Sequence, residues 1–201
     1  MKLKSIGMVI NKKKHFAKKL ASQIPLFLKK YGIKVVSPKK AHVLITIGGD
    51  GTILYHKSIY SKPIFAIGSS SSFLCHVHYS DWKKELLPTA LHGFRLERRA
   101  MLSSSIDGKK LPDALNEVVI RNREHRILEF VLLAKKRKFD FFADGALFST
   151  ATGSTAYAYS CGGRQMPPLS KKYQIVAIAP YRRKFKPIVL GENAHCKLVV
   201  K

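Results

Sequence analysis

Acidic residues are scarce in this sequence: 12 Asp and Glu stand against 37 Lys and Arg, a net charge of +25 over 201 residues. Such a field draws polyanions, including nucleic acid, anionic lipid and phosphorylated metabolites, without choosing among them. The basic residues are spread along the chain, in NKKKHFAKK, SPKKAH, LERR, AKKRK and YRRKFK, and aromatic residues are not interleaved with them. Nucleic acid is therefore not the expected partner, because single-strand binders stack bases on rings set among the charges. Cysteine is rare too. Cys75, Cys161 and Cys196 are odd in number, widely spaced and form no zinc pattern. They point to a reducing, cytoplasmic setting in which they act as small apolar residues. No apolar run is long enough to cross a bilayer, and MKLKSIGMVI passes straight into strand-like sequence, so neither a membrane span nor a signal peptide is expected. Internal repeats and low-complexity linkers are missing as well.

Hydrophobic residues make up 46% of the chain, enough for one substantial core or two modest domains. The first third alternates strand-like and helix-like segments. LKSIGMVI, IKVV, AHVLITI and KPIFAIG read as strands, and AHVLITI is apolar on both faces, as a central parallel strand is. KKKHFAKKLASQIPLFLKKYG carries Phe16, Leu20, Ile24, Phe27 and Leu28 at helical spacing, with Lys29 and Lys30 in its last turn and Gly32 as a stop. Pro25 inside it predicts a kink or an early break. GTILYHKSIY opens a second helix, and SDWKKELLPTALHG a third, with Ser80 as its N-cap. This alternation implies a Rossmann-like α/β fold, a parallel sheet with helices on both faces. Past Gly93 the pattern changes. FRLERRAMLSSSIDGKKL predicts a strand, a tight DGKK turn and a return strand. NEVVIRN, RILEFVLLAKK, RKFDFFADGALFST, YQIVAIAP, KPIVL and CKLVV add short β runs. The expectation is an α/β domain over 1–93 followed by a mainly β domain over 94–201.

One stretch, LITIGGDGTILY, sets a single carboxylate, Asp50, among glycines where a buried strand gives way to a helix. In a parallel α/β sheet ligands bind at such junctions. Glycines permit positive φ and let a phosphate approach the backbone, and the N–H groups of the helix start favour an anion. The pattern is neither a G-x-G-x-x-G fingerprint nor a Walker A loop. A carboxylate there either accepts the proton of an attacking hydroxyl or holds a cation that bridges to phosphates. The plainer alternative is that Asp50 caps the helix and the glycines shape a tight turn.

A second polar constellation is DGALFSTATGSTAYAYSCGG, dense in hydroxyls and small residues. GSTAYAYS predicts a short helix capped by Ser154 or Thr155, whose N–H groups and hydroxyls could read a base edge or hold a phosphate. In LNEVVIR, Asn116 and Glu117 stand at a strand entrance. A regular strand points them to opposite faces, so both reach one ligand only if that entrance is irregular. Loop and strand-end polarity accounts for each piece taken alone.

Together, GGDGT (Gly48–Thr52), NEVVI (Asn116–Ile120) and DGALFSTATGSTAYAYSCGG occur in the order and spacing of the NAD kinases, and the chain resembles that family from its first strand to about Leu190. IAPYRRKFKPIVL resembles the family's segment beyond the central motif. GGDGT is shared with diacylglycerol, sphingosine and 6-phosphofructo-kinases; TGSTAY is the more specific part. The resemblance implies phosphorylation of the adenosine 2′-hydroxyl of NAD by ATP or inorganic polyphosphate with a divalent cation, magnesium. Asp50 would be the general base. Gly48, Gly49, Gly51 and Thr52 would accommodate the donor phosphates, and Gly51 would also bind NAD. Asn116 and Glu117 would hold the adenosine, Thr155, Ala156 and Tyr157 would line the adenine pocket, and Asp144 and Ser160 would lie towards the nicotinamide. No protein metal site is implied, and His76 and His78 lack a nearby third ligand.

The chain departs from the family pattern in four places. Ala151 replaces a proline, GSSSSFLCHVH replaces a loop ending in GFL, and Tyr181-Arg182 replaces His-Ser. The chain also ends at Lys201, soon after PIVL, so the β domain is expected as a truncated sandwich. Its open edges would invite a second copy and give a homo-oligomer with a shared site. The alternatives are a lipid kinase of the same superfamily, for which no acyl-chain or membrane-binding segment is visible, and a non-catalytic NAD- or nucleotide-binding protein.

Overall fold

The computed structural model describes residues 2–124 and 126–201. The chain forms two compact units, Met1–Glu97 and Arg98–Lys201. The first holds β1 (Ser5–Ile10), α1 (His15–Lys29), β2 (Lys34–Val35), β3 (Val43–Ile47), α2 (Asp50–Tyr60), β4 (Ile64–Gly68), β5 (Val77–His78) and α3 (Trp82–His92). Its five strands are all parallel, in the order β2-β1-β3-β4-β5. Every residue of β3 is buried, so the central strand is apolar on both faces. Val43, Ile45 and Ile47 share a core with Leu20, Ile24 and Leu28 of α1 and Trp82 and Leu86 of α3. The alternate residues Leu44 and Thr46 face the other side. Ile53 of α2 is also buried but lies outside that core, which puts helices on both faces.

Helix α1 runs through Pro25 without ending there. The proline costs about 3 kcal/mol. Burying Leu20, Ile24 and Leu28 returns roughly 1.5–3 kcal/mol each, so packing overrides the local break. Helix α3 starts one residue later than the sequence suggests, after Asp81 rather than Ser80, and no side chain caps it. Ser80 is engaged instead with the imidazole of His78, Oγ to Nδ1 at 2.7 Å.

The second unit is built of antiparallel sheets. It comprises β6 (Ser105–Ile106), β7 (Lys109–Lys110), β8 (Glu117–Arg121), β9 (Leu128–Ala134), β10 (Arg137–Ala143), β11 (Gly145–Thr150), the short α4 (Tyr157–Ser160), β12 (Tyr173–Ile178), β13 (Ile188–Leu190) and β14 (Cys196–Val200). A four-stranded sheet, β13-β12-β11-β8, and a three-stranded sheet, β10-β9-β14, bury one shared core that includes Phe130, Leu132, Phe141, Ile175 and Leu190. Phe130 and Phe141 stack at 5.2 Å, and Phe185 packs on Phe141 at 4.2 Å. The far face of the larger sheet carries Leu147, Val176 and Ala158 of α4. Residues 94–101, expected as a strand, are irregular; only the β6–β7 hairpin around Asp107-Gly108 forms. The short helix begins after Ala156, and Thr152–Thr155 forms a 3-10 turn before it, so neither Ser154 nor Thr155 is its cap. Among the described residues no helix is long and apolar enough to cross a membrane.

Candidate active site

In the α/β unit, strand order reverses between β1 and β3, and the turn Gly48-Gly49 leaves the carboxyl end of β3 at that point. Ligands of open α/β sheets bind in this crevice. None of Gly48, Gly49 and Gly51 has a positive φ, so these glycines do not serve a left-handed turn. They serve space. A Cβ on Gly48 would strike Thr52 Oγ1 and come within 2.8 Å of Asn11 Cβ. A Cβ on Gly49 would have only Ser72 Oγ near it, at 3.6 Å, and one on Gly51 would meet nothing within 4 Å. The first glycine is packed; the other two leave backbone open to an approaching phosphate.

Asp50 does not cap α2 through its side chain. Its carboxylate reaches across to the loop after β4. Oδ2 accepts the N–H of Phe73 at 2.8 Å and Oδ1 accepts the N–H of Leu74 at 2.9 Å. An ionised carboxylate can accept about four hydrogen bonds, so lone pairs remain for a ligand hydroxyl while both oxygens are held in place. Gly68 lets this loop fold back, because a Cβ there would meet Ser72 Oγ and Cys75 Sγ at 2.7 Å. The Cys75 thiol is pushed up to about 11, first by burial and further by the charge and hydrogen bond of Asp50, with the Ser72 hydroxyl opposing. It stays protonated at neutral pH and is no nucleophile. The loop departs from the family pattern in sequence yet supplies the two amides that orient Asp50.

In the β unit, residues of two separate motifs converge. Glu117 at the start of β8 lies opposite Ser149 near the end of β11. The N–H of Thr150 donates to the carbonyl of Asn116 at 2.9 Å, and its hydroxyl donates to the carbonyl of Leu115 at 2.5 Å and accepts the N–H of Gly153 at 3.0 Å. Gly153 lies directly against the Asn116 backbone: a Cβ there would strike the carbonyl oxygen, with the carbon at 2.6 Å and Cα at 2.7 Å. Asn116 Oδ1, Glu117 Oε2 and Thr152 Oγ1 are buried without a hydrogen-bond partner. Buried polar atoms are normally paired, so three orphans gathered near one strand end are suited to a polar ligand. Thr152, 7% exposed, carries no sequence signal that sets it apart from its hydroxyl-rich neighbours; only its burial singles it out. Ser154 is structural, its hydroxyl bound to Ala151 and Met166.

Thr155, Ala156 and Tyr157 follow in the turn and α4, partly exposed, and Ser160 ends α4 in solvent. Asp144 stands apart. It is exposed and precedes β11 at the end opposite Glu117, about 15 Å along the strand from Ser149. Among the described residues no group of three His, Cys, Asp or Glu side chains is placed to hold a metal ion.

Burial raises the pKa of Glu117. The folded protein therefore holds this proton to higher pH than the unfolded chain, and stability falls as pH rises from the ordinary carboxylate range through the raised value. Glu117→Gln removes that penalty. The ligand-free variant is expected to melt above the parent at neutral pH, with the difference vanishing in acid below the ordinary carboxylate pKa, as measured by scanning calorimetry across pH.

Residues 115–201 match the family model of the ATP-NAD kinase C-terminal domain. The chain is similar to the NAD kinase of Chlorobium phaeobacteroides, 30% identical over 226 residues, covering 96% of this chain and 77% of that protein. The NAD kinase of Methanosarcina acetivorans, 31% identical over 161 residues, is covered over 58% of its length. In fold it is similar to the yeast NADH kinase solved with NADH, with a TM-score of 0.83 and 18% identity over 98% of this chain and 72% of that one. It is also similar to an NAD kinase from Archaeoglobus fulgidus solved with ATP, with a TM-score of 0.81 and 22% identity over 98% and 80% of the two chains. With a glycine-framed carboxylate at the switch point of one unit and orphaned polar groups around a TGSTAY turn in the other, the chain belongs to the NAD kinase family.

Proposed function

We propose that this chain is a cytoplasmic NAD kinase that transfers the terminal phosphoryl group of ATP or inorganic polyphosphate to the adenosine 2′-hydroxyl of NAD, giving NADP. The observation that carries this is Asp50, its two oxygens held by the Phe73 and Leu74 amides beside an open glycine backbone. The 2′-hydroxyl gives its proton to Asp50 as its oxygen bonds the phosphorus, and the bond to the leaving phosphate breaks. A ribose hydroxyl is a poor nucleophile at neutral pH, so a fixed acceptor contributes about two to four powers of ten. Alignment and charge neutralisation supply the remainder.

Gly48, Gly49 and Thr52 take the donor phosphates, and Gly51 binds NAD. In the NAD-binding part, 94–201, Asn116 and Glu117 accept from the adenosine, and Thr155, Ala156 and Tyr157 line the adenine. Asp144 and Ser160 serve the nicotinamide end. A divalent cation, magnesium, would be carried on the donor's phosphates and water with one or two carboxylates, since among the described residues no group of three or more His, Cys, Asp or Glu is placed to cage it. It would neutralise phosphate charge when bound. The open edges of the two β-unit sheets, β8 and β13 in one and β10 and β14 in the other, suit a homo-oligomer in which a second copy completes the site. The three free cysteines suit a reducing compartment.

The test is one assay: purified chain, NAD, magnesium and either ATP or polyphosphate, with NADP read by a coupled dehydrogenase. Formation of NADP is expected. Turnover of diacylglycerol or sphingosine in its place, or saturable NAD binding with no NADP formed, would sink the proposal.

A further inference from the structure

We propose a second anion site, separate from the residues above, at the β9–β10 hairpin: a cradle for a linear oligophosphate. The turn residues Lys135 and Lys136 both lie in the left-handed region, at φ 52 and 58. A two-residue hairpin turn of this kind favours Asn-Gly or Asp-Gly, because a side chain with a Cβ is disfavoured there. The chain uses the favoured pair in its other short hairpin, where Asp107 and Gly108 adopt φ 48 and 80 between β6 and β7. At β9–β10 it carries two lysines in the same conformation, a choice that local turn preference does not explain.

The two lysines begin a run of four basic residues, Lys135–Lys138. Lys138 pairs with Asp140 at 3.2 Å. Among the described residues no carboxylate pairs with Lys135, Lys136 or Arg137. With Lys138, Leu133, Ala134 and His195 they border an open cavity of about 330 Å³. No acid lines it, and its one ring is the imidazole of His195. Ammonium and guanidinium groups that border one cavity with no acid among its walls recognise phosphate oxygens, and a single imidazole falls short of the successive rings on which single-strand binders stack bases, so a chain of phosphates fits better than a nucleic acid. The hairpin tip is about 27 Å along β10 from Asp144, which lies just past the other end of that strand. This site does not depend on the kinase reaction proposed above.

Replacing the turn by the favoured pair, Lys135→Asn with Lys136→Gly, separates function from structure. The double variant is expected to melt about 2–4 °C higher, because the turn is relieved of strain. Titrated with inorganic tripolyphosphate in a calorimeter at low salt, it is expected to bind about tenfold more weakly than the parent. A control of equal charge, Lys18→Ala with Lys19→Ala on exposed α1 positions, is expected to bind as the parent does. Three results overturn the proposal: parent-like binding by the turn variant, an equal loss in the control, or tighter binding of single-stranded DNA of matched charge than of tripolyphosphate.

Discussion

Asp50→Asn is expected to lower kcat for NAD phosphorylation by about two to four powers of ten while NAD affinity changes little. The substitution keeps one acceptor oxygen for an amide and removes the group that receives the proton. It also turns an amide NH₂ towards a loop N–H, either Phe73 or Leu74, each now bound at 2.8–2.9 Å. That mismatch costs about 1–3 kcal/mol if the loop cannot shift, so the variant must be shown to melt near the parent. The decisive measurement is the split between kcat from steady-state rates and Kd for NAD from titration. An acid that merely anchored its loop would give equal losses in both, and the base role would then be abandoned.

Gly153→Ala is expected to be nearly as damaging, by a different route. The added methyl collides with the Asn116 backbone, which is itself tied to the Thr150 N–H at 2.9 Å. A flexible side chain could yield; a hydrogen-bonded backbone yields only by breaking the strand end. Overpacking of this kind costs about 1–3 kcal/mol, a loss of several degrees in Tm. Asn116 and Glu117 move with the displaced backbone, and a shift of about 1 Å in a positioning group costs up to about 100-fold. A Gly153→Ala protein that melts and binds NAD like the parent would show that the turn is not built around that contact.

Local pattern carried the first unit well. Five fully buried residues in β3 followed by two glycines and an acid announce a strand end and a helix start, because burial on both faces leaves an unbroken apolar run. The same logic failed at Pro25, where a local breaker is outweighed by packing from Leu20, Ile24 and Leu28, and at residues 94–101, where apolar alternation found no partner strand. In the second unit the short β runs were legible, but the packing of Gly153 on the Asn116 backbone and the bond from the Thr150 N–H to its carbonyl were not.

The amino-acid order by itself determined the class of each unit, the family motifs and the place of Asp50 at a strand–helix junction, since these depend on neighbours within a turn or two. Tertiary structure alone decided what Asp50 holds, amides 23 and 24 residues away. It alone brought Gly153 against the Asn116 backbone and left Thr152 with a buried, unpaired hydroxyl. It alone set two lysines into a left-handed turn. The reason is physical: hydrophobic periodicity records that a residue is buried, and only the assembled chain determines against which atoms.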